Sequence, residues 1–119
     1  MFDIILQAGA SVLLDPLFFG AGNSFYESIF YGTPTISLPT NYTKSRLVLG
    51  AYNQIDISDL KLKPIVNNID EYIDRSVAVA NDKNLFELKK TLQTKAEKNL
   101  YEYNKSISDL DKVFKKIVN

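Results

Sequence analysis

The sequence predicts an α/β fold in which about three short parallel strands are followed by C-terminal helices. Two apolar runs, 11–14 and 35–38, flank one helix-length segment that ends at Gly32. Two strands joined by a single helix of this length pair in parallel. A third apolar run at 64–66 is the candidate third strand, and the apolar residues after it recur at helical spacing.

The chain is predicted to be a single domain, 1–119, with a βαβ part at 1–67 and a helical part at 68–119. A complete doubly wound sheet has more strands than this, so the fold is expected to be a partial Rossmann-like one. Two or three short parallel strands also leave the edge beside residues 12–14 unpaired. Strands from a second copy, or from another chain, would complete such a sheet.

Helices are predicted where apolar residues recur every three or four positions between recognisable ends. One helix begins near Asn23 or Ser24 and ends at Tyr31, with Gly32 as its C-cap. A second is predicted from Lys44 to about Tyr52. The remaining stripes are Phe2, Ile5 and Leu6 before Gly9; Ile69, Tyr72, Ile73 and Val77; Leu85, Leu88, Leu92 and Ala96; and Ile107, Leu110, Val113, Phe114 and Ile117, with breaks at Asp82–Lys83 and near Tyr103–Asn104.

Composition narrows the possible functions. Fourteen basic residues balance fourteen acidic ones, which gives no reason to expect a nucleic acid or a membrane as partner. Cysteine and histidine are both absent, so thiolate catalysis and a histidine general base are excluded, and no metal or cofactor is expected. No apolar run approaches the roughly 18 residues of a membrane span, and no basic segment opens the chain. The expected location is the cytoplasm.

The most informative stretch is the glycine-containing loop that leaves the first strand and opens a helix. Gly20 and Gly22 allow the backbone to approach a ligand closely, and the amides at the helix start can bind a diphosphate. Asn23 and Ser24 add short polar side chains. Glu27 follows one turn later on the same face as Ser24, where a carboxylate can accept hydrogen bonds from ribose hydroxyls.

A second interpretation of the same residues involves no ligand. Ser24 and Glu27 have the spacing of a capping box, in which each side chain bonds the backbone amide of the other residue. Glycines in a loop between a strand and a helix are also ordinary turn residues. The aromatic residues around the loop are expected to be mainly core or interdomain contacts, although one could stack on a base: Phe18, Phe19, Phe25, Tyr26, Phe30 and Tyr31.

Longer blocks of sequence resemble a known family. The blocks are Leu-Leu-Asp-Pro at 13–16, Gly-Ala-Gly-Asn-Ser-Phe-Tyr-Glu at 20–27, Gly-Thr-Pro-Thr-Ile-Ser-Leu-Pro at 32–39, Ser-Arg at 45–46 and Asp-Glu-Tyr at 70–72. Together they resemble the C-terminal catalytic lobe of the O-GlcNAc transferases and related bacterial TPR-linked glycosyltransferases, which have the GT-B fold. The resemblance extends over roughly residues 2–92 and implies the second, nucleotide-binding half of that lobe.

The resemblance implies specific roles. Asn23 and Ser24 match the pair that contacts the diphosphate of UDP, and Glu27 matches the acidic residue that holds the ribose. Gly22 stands where animal members have a histidine near the phosphates. Arg46 matches a residue close to the nucleotide cleft, although a solvated position on the helix is an equal alternative.

Two parts of the family's catalytic machinery have no match in this sequence, and this limits the activity that we expect. The family transfers GlcNAc from UDP to a serine or threonine hydroxyl with inversion, using a lysine upstream of the matched segment and an N-terminal lobe that this sequence does not contain. The chain is therefore expected to bind UDP or UDP-GlcNAc while being incomplete and inactive alone. The missing lobe could be supplied by another chain. The alternative is a non-enzymatic module whose copies associate as a homodimer through the exposed strand edge.

Overall fold

The structure is a computed structural model that describes Ile4, residues 9–101 and residues 104–118. Two strands, β1 (Leu13–Leu14) and β2 (Thr35–Ile36), alternate with the first helix, α1 (Asn23–Phe30). A 3₁₀ turn at Thr43–Ser45 leads into the second helix. The helices that follow β2 are α2 (Leu47–Ile55), α3 (Ile69–Ala80), α4 (Leu85–Asn99) and α5 (Asn104–Val118). Within these described residues, no helix is long and apolar enough to cross a membrane.

The sheet confirms the predicted α/β class and its parallel pairing. Leu13 is paired with Thr35 and Leu14 with Ile36, and the two strands run in the same direction. The predicted third strand is reduced to one parallel bridge between Ser37 and Ile65. The described residues therefore form a mostly helical α/β fold and not a Rossmann-like GT-B lobe, which corrects that part of the expectation.

Prolines explain why the strands stay short. Pro34 and Pro39 lie on either side of β2, and Pro64 precedes the bridge at Ile65. A proline has no N–H to donate to a neighbouring strand, so each of these residues interrupts the ladder. Both strands are consequently only two residues long: β2 ends inside the apolar run 35–38, whereas β1 ends with the run 11–14.

The core lies between the sheet and the helices. Phe25 and Ile29 of α1 pack with Ile36 of β2 and with side chains of the later helices. The largest fully buried side chain is Tyr52, whose hydroxyl accepts a hydrogen bond from the Thr35 amide at 2.8 Å and donates one to the Thr35 carbonyl at 3.1 Å. A side chain of α2 thus satisfies the backbone N–H and C=O of Thr35, which are paired with no strand in the described part of the chain.

The end of α1 agrees with the sequence prediction. Gly32 has φ of 75° and donates its amide to Ile29 O, while the Thr33 amide donates to Ser28 O. This pair of hydrogen bonds is a Schellman motif, which requires the left-handed backbone that glycine adopts easily. Gly32 also packs on the backbone of α4, since a Cβ atom there would lie 2.1 Å from Lys89 O.

On two helices, α3 and α5, the apolar face that the sequence predicts is exposed. On α3, Ile69, Ile73 and Val77 are exposed, and Ser76 and Val79 are buried in their place. Apolar periodicity indicates a helix, but which face is covered depends on what packs against it. The stripe of α5 is fully outside the core, whereas Leu92 and Ala96 of α4 are buried as predicted.

Other boundaries differ by a few residues. The predicted helix from Lys44 to Tyr52 is a 3₁₀ turn followed by α2, which ends at Ile55. The break at Asp82–Lys83 is confirmed between α3 and α4. The predicted stripe of Phe2, Ile5 and Leu6 and the predicted break at Tyr103 lie outside the described residues.

Candidate functional site

The candidate site lies where two loops leave the same edge of the sheet. One loop runs from the end of β1 to α1, and the other from the end of β2 to α2. Because β1 and β2 are parallel neighbours, both loops start at their carboxyl ends, the edge at which α/β proteins bind ligands. The loops touch: the Gly20 amide donates a hydrogen bond to Lys44 O at 2.8 Å.

Both helices that follow these loops begin at this place. Gly22 is the N-cap of α1, and a Cβ atom on it would lie 3.9 Å from the Leu47 side chain, the first residue of α2. Neither helix has a side-chain cap or an acidic residue in its first turn. Two positive helix ends without a compensating anion therefore adjoin one glycine loop.

The start of α1 keeps its amides free. None of the described residues accepts a hydrogen bond from the N–H groups of Gly22, Asn23 or Ser24. The alternative interpretation, a capping box between Ser24 and Glu27, is wrong because the helix begins at Asn23 and no side chain caps it. Ser24 is the second residue of the helix, too far along to serve as N-cap.

Gly20 has a different environment from the other predicted ligands. It is buried, and its amide is bonded to Lys44 O. A Cβ atom on Gly20 would lie 3.0 Å from the same oxygen, so glycine lets the two loops approach each other. Gly20 thus shapes the loop, and its amide is already bonded to Lys44 O, unlike the free amides of Gly22, Asn23 and Ser24.

The side chains of Asn23, Ser24 and Glu27 are exposed and have no hydrogen-bond partner in the described part of the chain. Glu27 borders a shallow depression of about 350 Å³ on the outer side of α1, with aromatic side chains around it. The aromatic residues of this depression are Tyr26, Phe30, Tyr31 and Tyr101. The polar start of α1 therefore leads along the helix to an aromatic surface.

Arg46 lies at the junction of the two loops, as the N-cap of α2. Its Nη1 donates a hydrogen bond to Thr40 O at 2.9 Å, and the side chain is exposed. A guanidinium has five N–H donors, so further donors remain for an anion. Ser45, by contrast, is buried; its hydroxyl bonds the Thr40 side chain and donates to Tyr42 O at 2.9 Å.

A buried carboxylate that the sequence did not single out holds the site together. Asp15, next to β1, accepts hydrogen bonds from the Ala21 amide at 2.6 Å and from Ser37 Oγ at 2.5 Å. Its carbonyl accepts a third from Tyr72 Oη at 2.9 Å. Asp15 therefore connects the first loop, the end of β2 and α3. An acidic residue directly after a short apolar strand is the signal that could have identified it.

Two tyrosines near Asp15 have raised pKa values. Burial raises the pKa of Tyr52 well above 10.0, and the negative charge of Asp15 adds a smaller contribution. Burial, followed by the Asp15 charge, also raises the pKa of Tyr72. Both phenols therefore stay protonated near neutral pH, where they act as hydrogen-bond donors and not as bases.

No protein-family model matches the sequence. No curated protein matches it significantly.

Proposed function

We propose that this chain binds the diphosphate of a nucleotide sugar, UDP or UDP-GlcNAc, as the nucleotide-binding part of a glycosyltransferase-like protein that does not transfer sugar by itself. The observation that carries the proposal is the meeting of two uncapped helix starts, α1 and α2, at the loop that contains Gly20 and Gly22. Free amides and aligned helix dipoles are a recognised arrangement for phosphate binding.

The donors match a diphosphate in number and kind. The amides of Gly22, Asn23 and Ser24 are free, and the side chains of Asn23 and Ser24 lie beside them. Arg46 adds a cation at the start of α2. The arrangement binds anions by charge-assisted hydrogen bonds, each of which contributes about 1.5–3 kcal/mol.

The rest of the nucleotide would extend along α1. Glu27 follows Asn23 by four residues, or about 6 Å of helix, which corresponds to the step from a phosphate to a ribose. The aromatic depression that Glu27 borders lies beyond it, with Phe30 on one side. A pyrimidine can stack against such side chains.

Sugar transfer needs groups that the site does not contain. The proposed ligands stabilise a departing diphosphate, but none of them is placed as a base for an acceptor hydroxyl. The two-stranded sheet also leaves the outer edge of β1 for further strands from elsewhere. We therefore propose binding without transfer, with the acceptor side supplied by another polypeptide.

Calorimetry with UDP and UDP-GlcNAc tests the proposal, and Asn23 provides a sharp pair of variants. Asn23 is the first residue of α1, where proline is tolerated and removes only the amide donor. Asn23→Pro should lower the UDP affinity about tenfold or more, whereas Asn23→Ala, which keeps the amide, should lose less.

The controls separate folding from binding. Both Asn23 variants should retain the wild-type circular dichroism spectrum. Glu27→Ala should weaken the binding of UDP more than that of inorganic pyrophosphate, because Glu27 is assigned to the ribose, which pyrophosphate lacks. Absence of saturable binding at millimolar UDP contradicts the proposal.

The second candidate is a non-enzymatic module that self-associates through the edge of β1. Leu14 is half exposed there, and β1 has one neighbour, β2, in the described sheet. An unpaired edge can add a strand from a second copy. A wild-type dimer that does not bind UDP and dissociates in Leu14→Pro would favour this candidate.

A further inference from the structure

The last helix presents an apolar face that nothing in the described structure covers. Helix α5 has 15 residues, and none of them is buried. Its large apolar side chains are all at least half exposed: Ile107, Leu110, Val113, Phe114, Ile117 and Val118. A helix of about 12–15 residues is marginal in water unless its apolar face packs against something. The face of α5 therefore requires a partner.

The spacing of this face fits a helix pair with an unusual symmetry. Ile107, Leu110, Phe114 and Ile117 are separated by three, four and three residues, the a/d spacing of a coiled coil. The set is symmetric about Lys112, so reversing the helix exchanges Ile107 with Ile117 and Leu110 with Phe114. Two copies of α5 can consequently pair antiparallel with these four residues in matched layers, whereas Val113 lies outside the symmetric set because its mirror position is Asp111.

The charges of α5 favour the same arrangement. The half before Lys112 contains Lys105, Asp109 and Asp111, whereas the half that begins at Lys112 contains only lysines among its charged residues. An antiparallel pair places the acidic half of one helix beside the basic half of the other, with Asp109 opposite Lys115. A parallel pair would place like charges together. Antiparallel pairing also opposes the two helix dipoles favourably.

Existing ion pairs leave the apolar face clear. Lys115 pairs with Asp111 at 2.8 Å and Lys112 with Asp109 at 3.5 Å, both along the same helix. Each pair is exposed and contributes little to stability. The lysines and aspartates therefore flank the stripe and set orientation, and the apolar layers supply the association energy.

We propose that α5 is a dimerisation helix that pairs antiparallel with α5 of a second copy of this chain. The surface is separate from the proposed nucleotide site and from the edge of β1. A helix of this length is about 22 Å long, so the contact lies at the small end of interface sizes. We expect a weak dimer, with a Kd in the micromolar range or above.

Cross-linking tests the orientation directly, because the chain has no cysteine of its own. Leu110→Cys and Phe114→Cys are made in separate chains and mixed under mild oxidation. An antiparallel pair predicts a disulfide mainly between the two different variants. Preferential disulfides between identical variants, as parallel pairing gives, would overturn the proposal.

Sedimentation equilibrium tests the association itself. The wild type should dimerise reversibly, and Leu110→Asp should shift the dissociation constant at least tenfold toward monomer. Ile73→Asp on α3 is the matched control, since Ile73 is 54% exposed and Leu110 56%, and it should dimerise like the wild type. A wild type that remains monomeric at about 1 mM, or two variants that weaken the dimer equally, would overturn the proposal.

Discussion

Asp15 and Ser37 join the two loops of the candidate site through a buried hydrogen bond of 2.5 Å between Ser37 Oγ and Asp15 Oδ2. The other carboxylate oxygen of Asp15 accepts the Ala21 amide. One side chain at the end of β1 thus fixes both the glycine loop before α1 and the start of the loop after β2. The positions of the two helix starts depend on this contact.

Replacement of Asp15 should destabilise the fold. Asp15→Ala removes two hydrogen bonds and leaves buried donors without partners, which should cost about 3 kcal/mol in the free energy of unfolding. Asp15→Asn keeps one acceptor and should cost less. Urea denaturation measures both, and Asp74→Asn, on the exposed side of α3, should remain within about 0.5 kcal/mol of the wild type. A stable Asp15→Ala variant would contradict the role of Asp15.

Two glycines should respond in opposite directions to alanine. Gly32→Ala adds a Cβ atom 2.1 Å from Lys89 O at a residue with φ of 75°, so it should lose more than about 2 kcal/mol of stability. Gly50 lies inside α2 with nothing within 4 Å of a Cβ atom, and Gly50→Ala should gain about 0.5–1 kcal/mol. Thermal denaturation of the two variants provides the comparison; equal effects would contradict the close contact at Gly32.

Alkaline pH should weaken the fold through Tyr52. The folded pKa of this phenol is raised above its unfolded value of 10.0, so the unfolded chain releases the proton first. The buried, protonated phenol therefore makes its full contribution to the free energy of unfolding below pH 10. As the pH rises further, that free energy falls by up to about 1.4 kcal/mol per pH unit. Denaturant midpoints measured between about pH 8 and pH 11 should show this decline.

Tyr52→Phe isolates that contribution. The variant should be less stable at neutral pH by about 1–3 kcal/mol, because the Thr35 amide loses its acceptor, and its stability should fall less steeply above pH 10. Tyr42→Phe is the control, since Tyr42 is 72% exposed. A Tyr52→Phe variant with the wild-type alkaline slope would show that other groups cause the decline.

A negative charge at the start of α1 should separate stability from binding. Ser24→Asp places a carboxylate in the first helical turn, where it should stabilise the helix by about 0.5 kcal/mol. The same charge should repel a diphosphate and reduce the UDP affinity. The melting temperature and the calorimetric affinity should therefore change in opposite directions, with Ser24→Asn as the neutral control. Unchanged UDP affinity in Ser24→Asp would place the diphosphate elsewhere.

Several features of the fold could be predicted from the sequence alone, because they depend on local chemistry. The parallel pairing of β1 and β2, the end of α1 at Gly32 and the buried stripe of α4 follow from residue order, backbone preference and periodicity. The start of α1 at Asn23 also follows from the loop that precedes it. These features depend on residues that are neighbours in the chain or separated by one helix.

Only the tertiary structure determined which groups are satisfied and which faces are covered. Asp15 is an acceptor because residues 6 and 22 positions away come within hydrogen-bond distance, and Gly20 loses its free amide to the loop after β2. The outward stripes of α3 and α5 look the same in sequence as the buried stripe of α4. Periodicity records that a face is apolar, whereas its burial depends on contacts between distant segments, and no local pattern encodes those contacts.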